Sequence, residues 1–262
     1  MRKRSIALIC ILILLLSLLP AGCGEKPASP GEIIGIIGAM DVEVSTLKEA
    51  AKITKTTEIA GMEFCEGTLN GKKAVIVKCG MGKVNAGVCA STLIGVFGCT
   101  RIINTGVAGS LDSRIDIGDI VVSVDAVQHD FDVSYLGFAK GEIPYTGRYA
   151  FPADEGLRAS AVSAVRAEAP DRQVFEGRVC SGDQFISTGE QKERILSDFG
   201  GLCCEMEGAA IAQVCYLYQT PFVIVRAISD KPDETEVVDY RVFEAEAAAA
   251  CAKIVQHMVE GL

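Results

Sequence analysis

The chain has 262 residues, 49% of them hydrophobic, a formal net charge of −9 and no tryptophan. That length is enough for one large domain with a sizeable core. Beyond its first four residues the chain has no basic run, and only 6% of it is aromatic. It therefore lacks the cationic surface and the stacking platform that nucleic-acid binding requires.

The N-terminus reads as a targeting segment. Arg2, Lys3 and Arg4 precede the almost wholly apolar run Ile6 to Leu19, a length suited to secretion and short of the ~20 residues of a membrane span. Pro20-Ala21-Gly22-Cys23 follows and resembles a bacterial lipobox, with Pro20 standing where that pattern prefers leucine. The expected organisation is a signal peptide over 1–22, a tether lipidated at Cys23 over 23–31, and one folded domain over 32–262. An uncleaved signal anchor is the alternative. Removing the three cations of the signal takes the formal charge from −9 to −12. The expected location is the extracytoplasmic face of a membrane.

Strand and helix signals then alternate. Ile33 to Ala39 is a buried strand, and Asp41 opens a helix with Val44 and Leu47 on one side. Met62 to Leu69 and Lys73 to Cys79 are strands joined at Asn70-Gly71, a strong hairpin signal. Val84 to Phe97 is a helix rich in small residues, followed by strands over Arg101 to Thr105 and Ile120 to Val127. Asp154 to Ala169 is a helix between two prolines, Val174 to Cys180 a strand, Gly189 to Phe199 a helix. Glu207 to Tyr218 is a helix leading into a strand from Pro221. The last helix, Tyr240 to Val259, places Phe243, Ala247, Ala250, Ile254 and Met258 on its inner face. This order predicts a three-layer α/β/α sandwich around a mixed, mainly parallel sheet.

The eleven cysteines form no Cys-x-x-Cys pair and there are two histidines, His129 and His257, so a zinc site of that spacing is not expected. Most cysteines sit singly in apolar runs and read as small buried hydrophobes. No disulfide framework is visible, although export favours one.

Three segments carry chemistry. Val223 to Asp230 is a β-branched run ending in Arg226, Ser229 and Asp230, which places these three at the rim of a pocket, because ligands of α/β sheets bind beyond the carboxyl ends of strands. Gly35 to Glu43 combines glycines at a strand end with an acid in the next helical turn; helix-dipole complementarity alone also explains that acid. In Cys203 to Ala210, Glu205 and Glu207 flank Met206 where a strand gives way to a helix. Such a carboxylate can accept two hydrogen bonds from a vicinal diol, or simply mark a helix start. Gly80-Met81-Gly82-Lys83 lacks the Ser/Thr and earlier glycine of a phosphate loop, and no Gly-x-Ser-x-Gly elbow exists.

In order, Gly35-Ile-Ile-Gly-Ala-Met40, Gly82-Lys-Val84, Asn104-Thr-Gly106, Gly118-Asp-Ile-Val-Val122, Ser181-Gly-Asp183 with Phe185-Ile186, Glu205-Met-Glu207 and Val225-Arg-Ala-Ile-Ser-Asp230 resemble the 5′-methylthioadenosine/S-adenosylhomocysteine nucleosidases of the purine nucleoside phosphorylase superfamily. The resemblance runs from about Ile33 to the C-terminus. It implies hydrolysis of the adenine–ribose bond of purine thionucleosides by a homodimer that needs no metal or organic cofactor. By motif, Glu43 activates water and Asp230 protonates adenine N7, oriented by Ser229. Glu207, beside Met206, holds the ribose hydroxyls, and Arg226 places the water and Glu207. Phe185 stacks on adenine, Ile186 meets its edge, and Met40, Met81 and Tyr240 line the sugar and thioether end. Val133, Leu136 and Pro144 match positions that a partner subunit contributes. Val107 departs from the serine frequent in the family, which implies tuning, since it replaces no proton-transfer group. Two alternatives stay open: a related purine nucleoside hydrolase or phosphorylase, and a non-catalytic nucleoside-binding surface lipoprotein.

Overall fold

The computed structural model describes residues 31–231 and 236–262, without the side chains of 236–239 and 241. The expected signal, tether and Cys23 lie outside the described residues. Glu32–Leu262 forms one unit.

The elements, in chain order, are β1 (Ile34–Gly38), α1 (Asp41–Ala50), β2 (Lys52–Ile59), β3 (Met62–Leu69), β4 (Lys72–Lys78), α2 (Lys83–Gly95), β5 (Arg101–Ser110), β6 (Ile120–Gln128), β7 (Phe151–Pro152), α3 (Glu155–Glu168), β8 (Val174–Ser181), α4 (Gly189–Phe199), β9 (Cys203–Glu205), α5 (Gly208–Tyr218), β10 (Phe222–Asp230) and α6 (Glu236–Glu260). The strands form one mixed sheet in the order β10-β6-β8-β9-β5-β1-β4-β3-β2, with β7 on β6. A further pairing of β10 with β5 makes the sheet curl back on itself.

Three layers result. One face buries Ala86, Cys89, Ala90 and Leu93 of α2 and Ala209, Ile211, Ala212 and Cys215 of α5. The alanines and cysteines among them let both helices lie close to the strands. The other face packs α1, α3 and α6 through Val44, Leu47, Leu157, Val165, Ala248 and Val255. Each fully buried leucine, valine or isoleucine contributes roughly 1.5–3 kcal/mol, so the two apolar faces, not the loops, hold the sheet in shape.

Departures from the sequence reading have physical causes. Strand β2 was not expected: apart from Ile53 and Ile59 its residues are Lys, Thr and Glu, and it forms the sheet edge with most side chains in water, where charge blunts edge pairing. Strand β5 runs on through Gly106 to Ser110 instead of stopping at Thr105. On α6 the buried stripe is Ala247, Ala248, Cys251, Ala252, Ile254, Val255, Met258 and Val259, whereas Phe243 and Ala250 are only half-buried. All nine described cysteines are buried free thiols.

The site is positioned by β1, β5 and β10. These strands pair in parallel, β1 with β5 and β5 with β10, so their carboxyl ends open on the same side. Strand β4 runs parallel to β1 and delivers the Gly80–Gly82 turn to that same end.

Candidate active site

Glu43 sits in the first turn of α1 and is 2% exposed. Its Oε2 accepts the backbone N–H groups of Ala39 at 2.6 Å and Met40 at 3.0 Å, and its Oε1 accepts that of Val107 at 3.1 Å. The helix-start explanation is thus satisfied through Met40. The Val107 contact adds what a helix start alone does not require, a tie from α1 to β5. Burial raises the Glu43 pKa above its ordinary value, while Arg226 and the three amides pull the other way.

Asp230 ends β10. The register slips between Ile228 and Asp230, so Ser229 bulges and Asp230 faces Gly109. Ser229 Oγ donates to Asp230 Oδ1 at 2.6 Å. Glycines at 106 and 109 are required by close approach. A Cβ at Gly106 would lie 2.1 Å from Arg226 Nη1 and 2.4 Å from Glu43 Oε1, and one at Gly109 would lie 2.7 Å from Asp230 Oδ2.

Glu205 and Glu207 diverge, because β9 ends at Glu205 and α5 starts at Gly208. Glu207 turns to the cavity and accepts the Gly82 N–H at 2.8 Å. Burial, then repulsion from Glu205, pushes its pKa up to about 7. Glu205 also lines the cavity, but its carboxylate is taken up within the protein: it accepts Ser181 Oγ, the N–H groups of Glu207 at 3.1 Å and Gly208 at 2.8 Å, and Arg226.

Arg226 does not stand at the rim as expected. It is 1% exposed and lies behind the cavity wall. Its Nη2 donates to Asn104 Oδ1 at 2.7 Å and to Glu205, and lies 3.8 Å from Glu207 Oε2. Its Nε has no hydrogen-bond partner among the described residues. Burial works against the guanidinium charge, but Glu205, Glu43 and Glu207 more than offset it and keep Arg226 protonated.

An open cavity joins these groups. Met40, Glu43, Met81, Phe185, Ile186, Met206, Glu207, Ser229, Asp230 and Tyr240 all line it, and Val107 forms part of its wall. Phe185 and Tyr240 meet edge to face at 5.5 Å, and the Tyr240 hydroxyl reaches Met40 Sδ at 3.3 Å. Val133, Leu136 and Pro144 do not line this cavity. Leu136 is 73% exposed and the other two are half-buried. Motifs did not foretell the amides of Ala39, Met40, Gly82 and Val107, since any residue supplies an N–H. Asn104 and Ser181 lay within quoted motifs, but only the fold shows them reaching Arg226 and Glu205.

Glu43, held by amides, can take a proton from a nucleophile. Asp230, bridged by Ser229, can give one to a leaving group. Carboxylates facing one cavity over the ends of parallel strands define an α/β enzyme of acid–base bond cleavage.

The phosphorylase superfamily pattern matches residues 33–260. The 5′-methylthioadenosine/S-adenosylhomocysteine nucleosidases of Psychromonas ingrahamii and Anoxybacillus flavithermus are each 39% identical over 87% of this chain, covering 99% and 98% of their own lengths. The nucleosidase of Neisseria meningitidis, solved with methylthio-immucillin-A, superposes with a TM-score of 0.85 at 37% identity, over 88% of this chain and all of that one. Futalosine hydrolase of Helicobacter pylori superposes at 0.83 with 32% identity, over 88% of this chain and 98% of its own. The chain belongs to the phosphorylase superfamily, in the family of the 5′-methylthioadenosine/S-adenosylhomocysteine nucleosidases.

Proposed function

We propose that the protein hydrolyses the N-glycosidic bond of 5′-methylthioadenosine and S-adenosylhomocysteine, releasing adenine and the thioribose product. The observation that carries this reading is the placement of Glu43 and Asp230 on one cavity, which Glu207 also lines. Water attacks C1′ and gives its proton to Glu43. The C1′–N9 bond breaks, and adenine leaves with a proton delivered to N7 by Asp230. Glu207 accepts the ribose hydroxyls, and the carboxylates stabilise positive charge on the sugar. Phe185 and Ile186 wall the purine, while Met40, Met81, Met206 and Tyr240 enclose the sugar and thioether. Arg226 acts from behind, through Glu205 and Glu207.

Two wider parts of the reading are proposals of the same kind. A homodimer is supported by exposed apolar side chains on the turn before α2, on α2 and α5, and on the loop after β6. There Met81, Val84, Leu217, Tyr135 and Leu136 are 60%, 78%, 61%, 104% and 73% exposed. Covering them with a second copy would bring Val133, Leu136 and Pro144 toward the neighbouring cavity. Anchoring to a membrane through lipidated Cys23, with the domain outside the cytoplasm, is supported by the sequence before Gly31.

Incubating the purified protein with either thionucleoside tests the main reading. Adenine should appear at a rate independent of phosphate, and Glu43→Gln and Asp230→Asn should each lose ~10²–10⁴ in kcat. Futalosine serves as comparison substrate. Tight binding of an adenosine analogue without adenine release would instead identify a receptor.

A further inference from the structure

Three loops that build the cavity are tied together outside it. Lys83 opens α2, directly after the Gly82 amide that holds Glu207. Its own backbone N–H donates to Asp183 Oδ1 at 2.8 Å. Asp183, two residues before Phe185, donates its N–H to Asp130 Oδ2 at 2.8 Å. Asp130, from the loop after β6, accepts Lys83 Nζ on its other oxygen at 2.5 Å, and Lys83 Nζ also reaches Gln128 Oε1 at 3.1 Å. The ring therefore closes: Lys83 to Asp183, Asp183 to Asp130, Asp130 to Lys83.

Asp183 lies at the surface, but the ion pair it joins is largely covered. The Lys83 and Asp130 side chains are only 17% and 19% exposed. Burial opposes the Asp130 charge, but the Lys83 ammonium and the Asp183 amide hold its carboxyl below the usual range. Neighbouring glycines leave it no slack. Gly82 adopts φ +96, and a Cβ there would meet Asp183 Oδ1 at 3.2 Å. A Cβ at Gly182 would meet His129 Nε2 at 2.4 Å and Asp130 Cγ at 3.1 Å.

We propose that Lys83, Asp130 and Asp183 form a positioning clamp that fixes the sugar-binding end of the cavity against its purine wall. The clamp touches no substrate. It sets where the Gly82 amide presents Glu207, and at the same time where the chain places Phe185 and Ile186. This inference rests on the proposed nucleosidase reading for the identity of the two ends. A nucleoside must satisfy both at once, so a slip in the ring loosens base and sugar together, and small misplacements of that kind weaken oriented reactions strongly.

The test uses the full chain and three variants. Asp183→Ala removes the acceptor for the Lys83 amide. Asp183→Asn keeps an oxygen there. Lys83→Met breaks the ring elsewhere. The readouts are kcat and KM for methylthioadenosine, and the dissociation constant of adenine alone by calorimetry. Asp183→Ala and Lys83→Met should raise KM about tenfold, with a smaller fall in kcat, and should weaken adenine binding, because the purine wall moves. Asp183→Asn should recover most of both. If Asp183→Ala fails to fold, Lys83→Met gives the same reading. KM and adenine affinity within twofold of the unmodified protein, whatever the thermal midpoint does, would overturn the clamp. An unmodified protein that binds adenine but cleaves no nucleoside would sink the nucleosidase reading instead, and the clamp is then read from adenine affinity.

Discussion

Glu207→Gln separates the stability of the site from its function. Three carboxylates, Glu205, Glu43 and Glu207, act on one guanidinium. For Glu207 the attraction of Arg226 is smaller than what burial and the repulsion of Glu205 take away, so its pKa is pushed from the ordinary 4.5 up to about 7. At ~1.4 kcal/mol per pH unit, ionising it in the fold costs about 3 kcal/mol. The sign follows from a raised acid: the stability that the protonated group contributes is fully present below about 4.5, and is lost as pH rises through about 7. Glutamine never ionises, and its oxygen can still accept the Gly82 amide. In urea melts, the unmodified protein and the variant should match at pH 4.5, then diverge to about 3 kcal/mol in favour of the variant at pH 8.5, while nucleoside affinity falls. A stability difference that stays constant across that range would refute the reasoning.

Further outcomes follow from the same geometry. Gly106→Ala should abolish activity and lower the urea midpoint, because its Cβ would overlap Arg226 Nη1 at 2.1 Å and Glu43 Oε1 at 2.4 Å; a crystal structure of the variant should show both side chains displaced. Val107→Ser keeps the backbone N–H that binds Glu43, so kcat/KM should change by less than about tenfold, below the ~10²–10⁴ of a proton-transfer group. The acid limb of kcat/KM should fall off at a higher pH than an ordinary glutamate gives, because burial raises Glu43; a limb at or below the ordinary range would contradict that burial.

Much of the fold was legible because its signals are local. Strand β3 and helix α4 begin and end where periodicity placed them, and Asn70-Gly71 turns the β3–β4 hairpin. Strand β2 escaped because an edge strand facing water has little apolar content to betray it. Strand β5 was cut short because its glycines stand for close approach of charged side chains, a long-range cause with no local sign. In the site, side chains that face the cavity were legible through motif resemblance. Arg226 was legible as a residue but not in its place, because a strand signal does not say which side chain lies behind a pocket wall. Glu205 was open between a diol-binding carboxylate and a helix start, and it accepts the Glu207 and Gly208 amides at the start of α5. It is also the main partner of Arg226, which only the approach of β9 to β10 across β5 reveals.

The chain sits in a superfamily named for phosphorolysis, and its structure supplies a reason why water, not phosphate, should attack. Three backbone amides, those of Ala39, Met40 and Val107, converge with the field of Arg226 as an anion-binding nest would. Glu43 already fills it. A phosphate brought within about 4 Å of that carboxylate would meet repulsion of roughly 4 kcal/mol per charge at an effective dielectric near 20, with no free amide of the nest to offset it. Water carries no such penalty and offers the proton that Glu43 is placed to accept. Adding phosphate should therefore leave the rate of adenine release unchanged and yield no sugar phosphate. A phosphate-dependent rate would show that the nest opens, and that Glu43 moves aside during turnover.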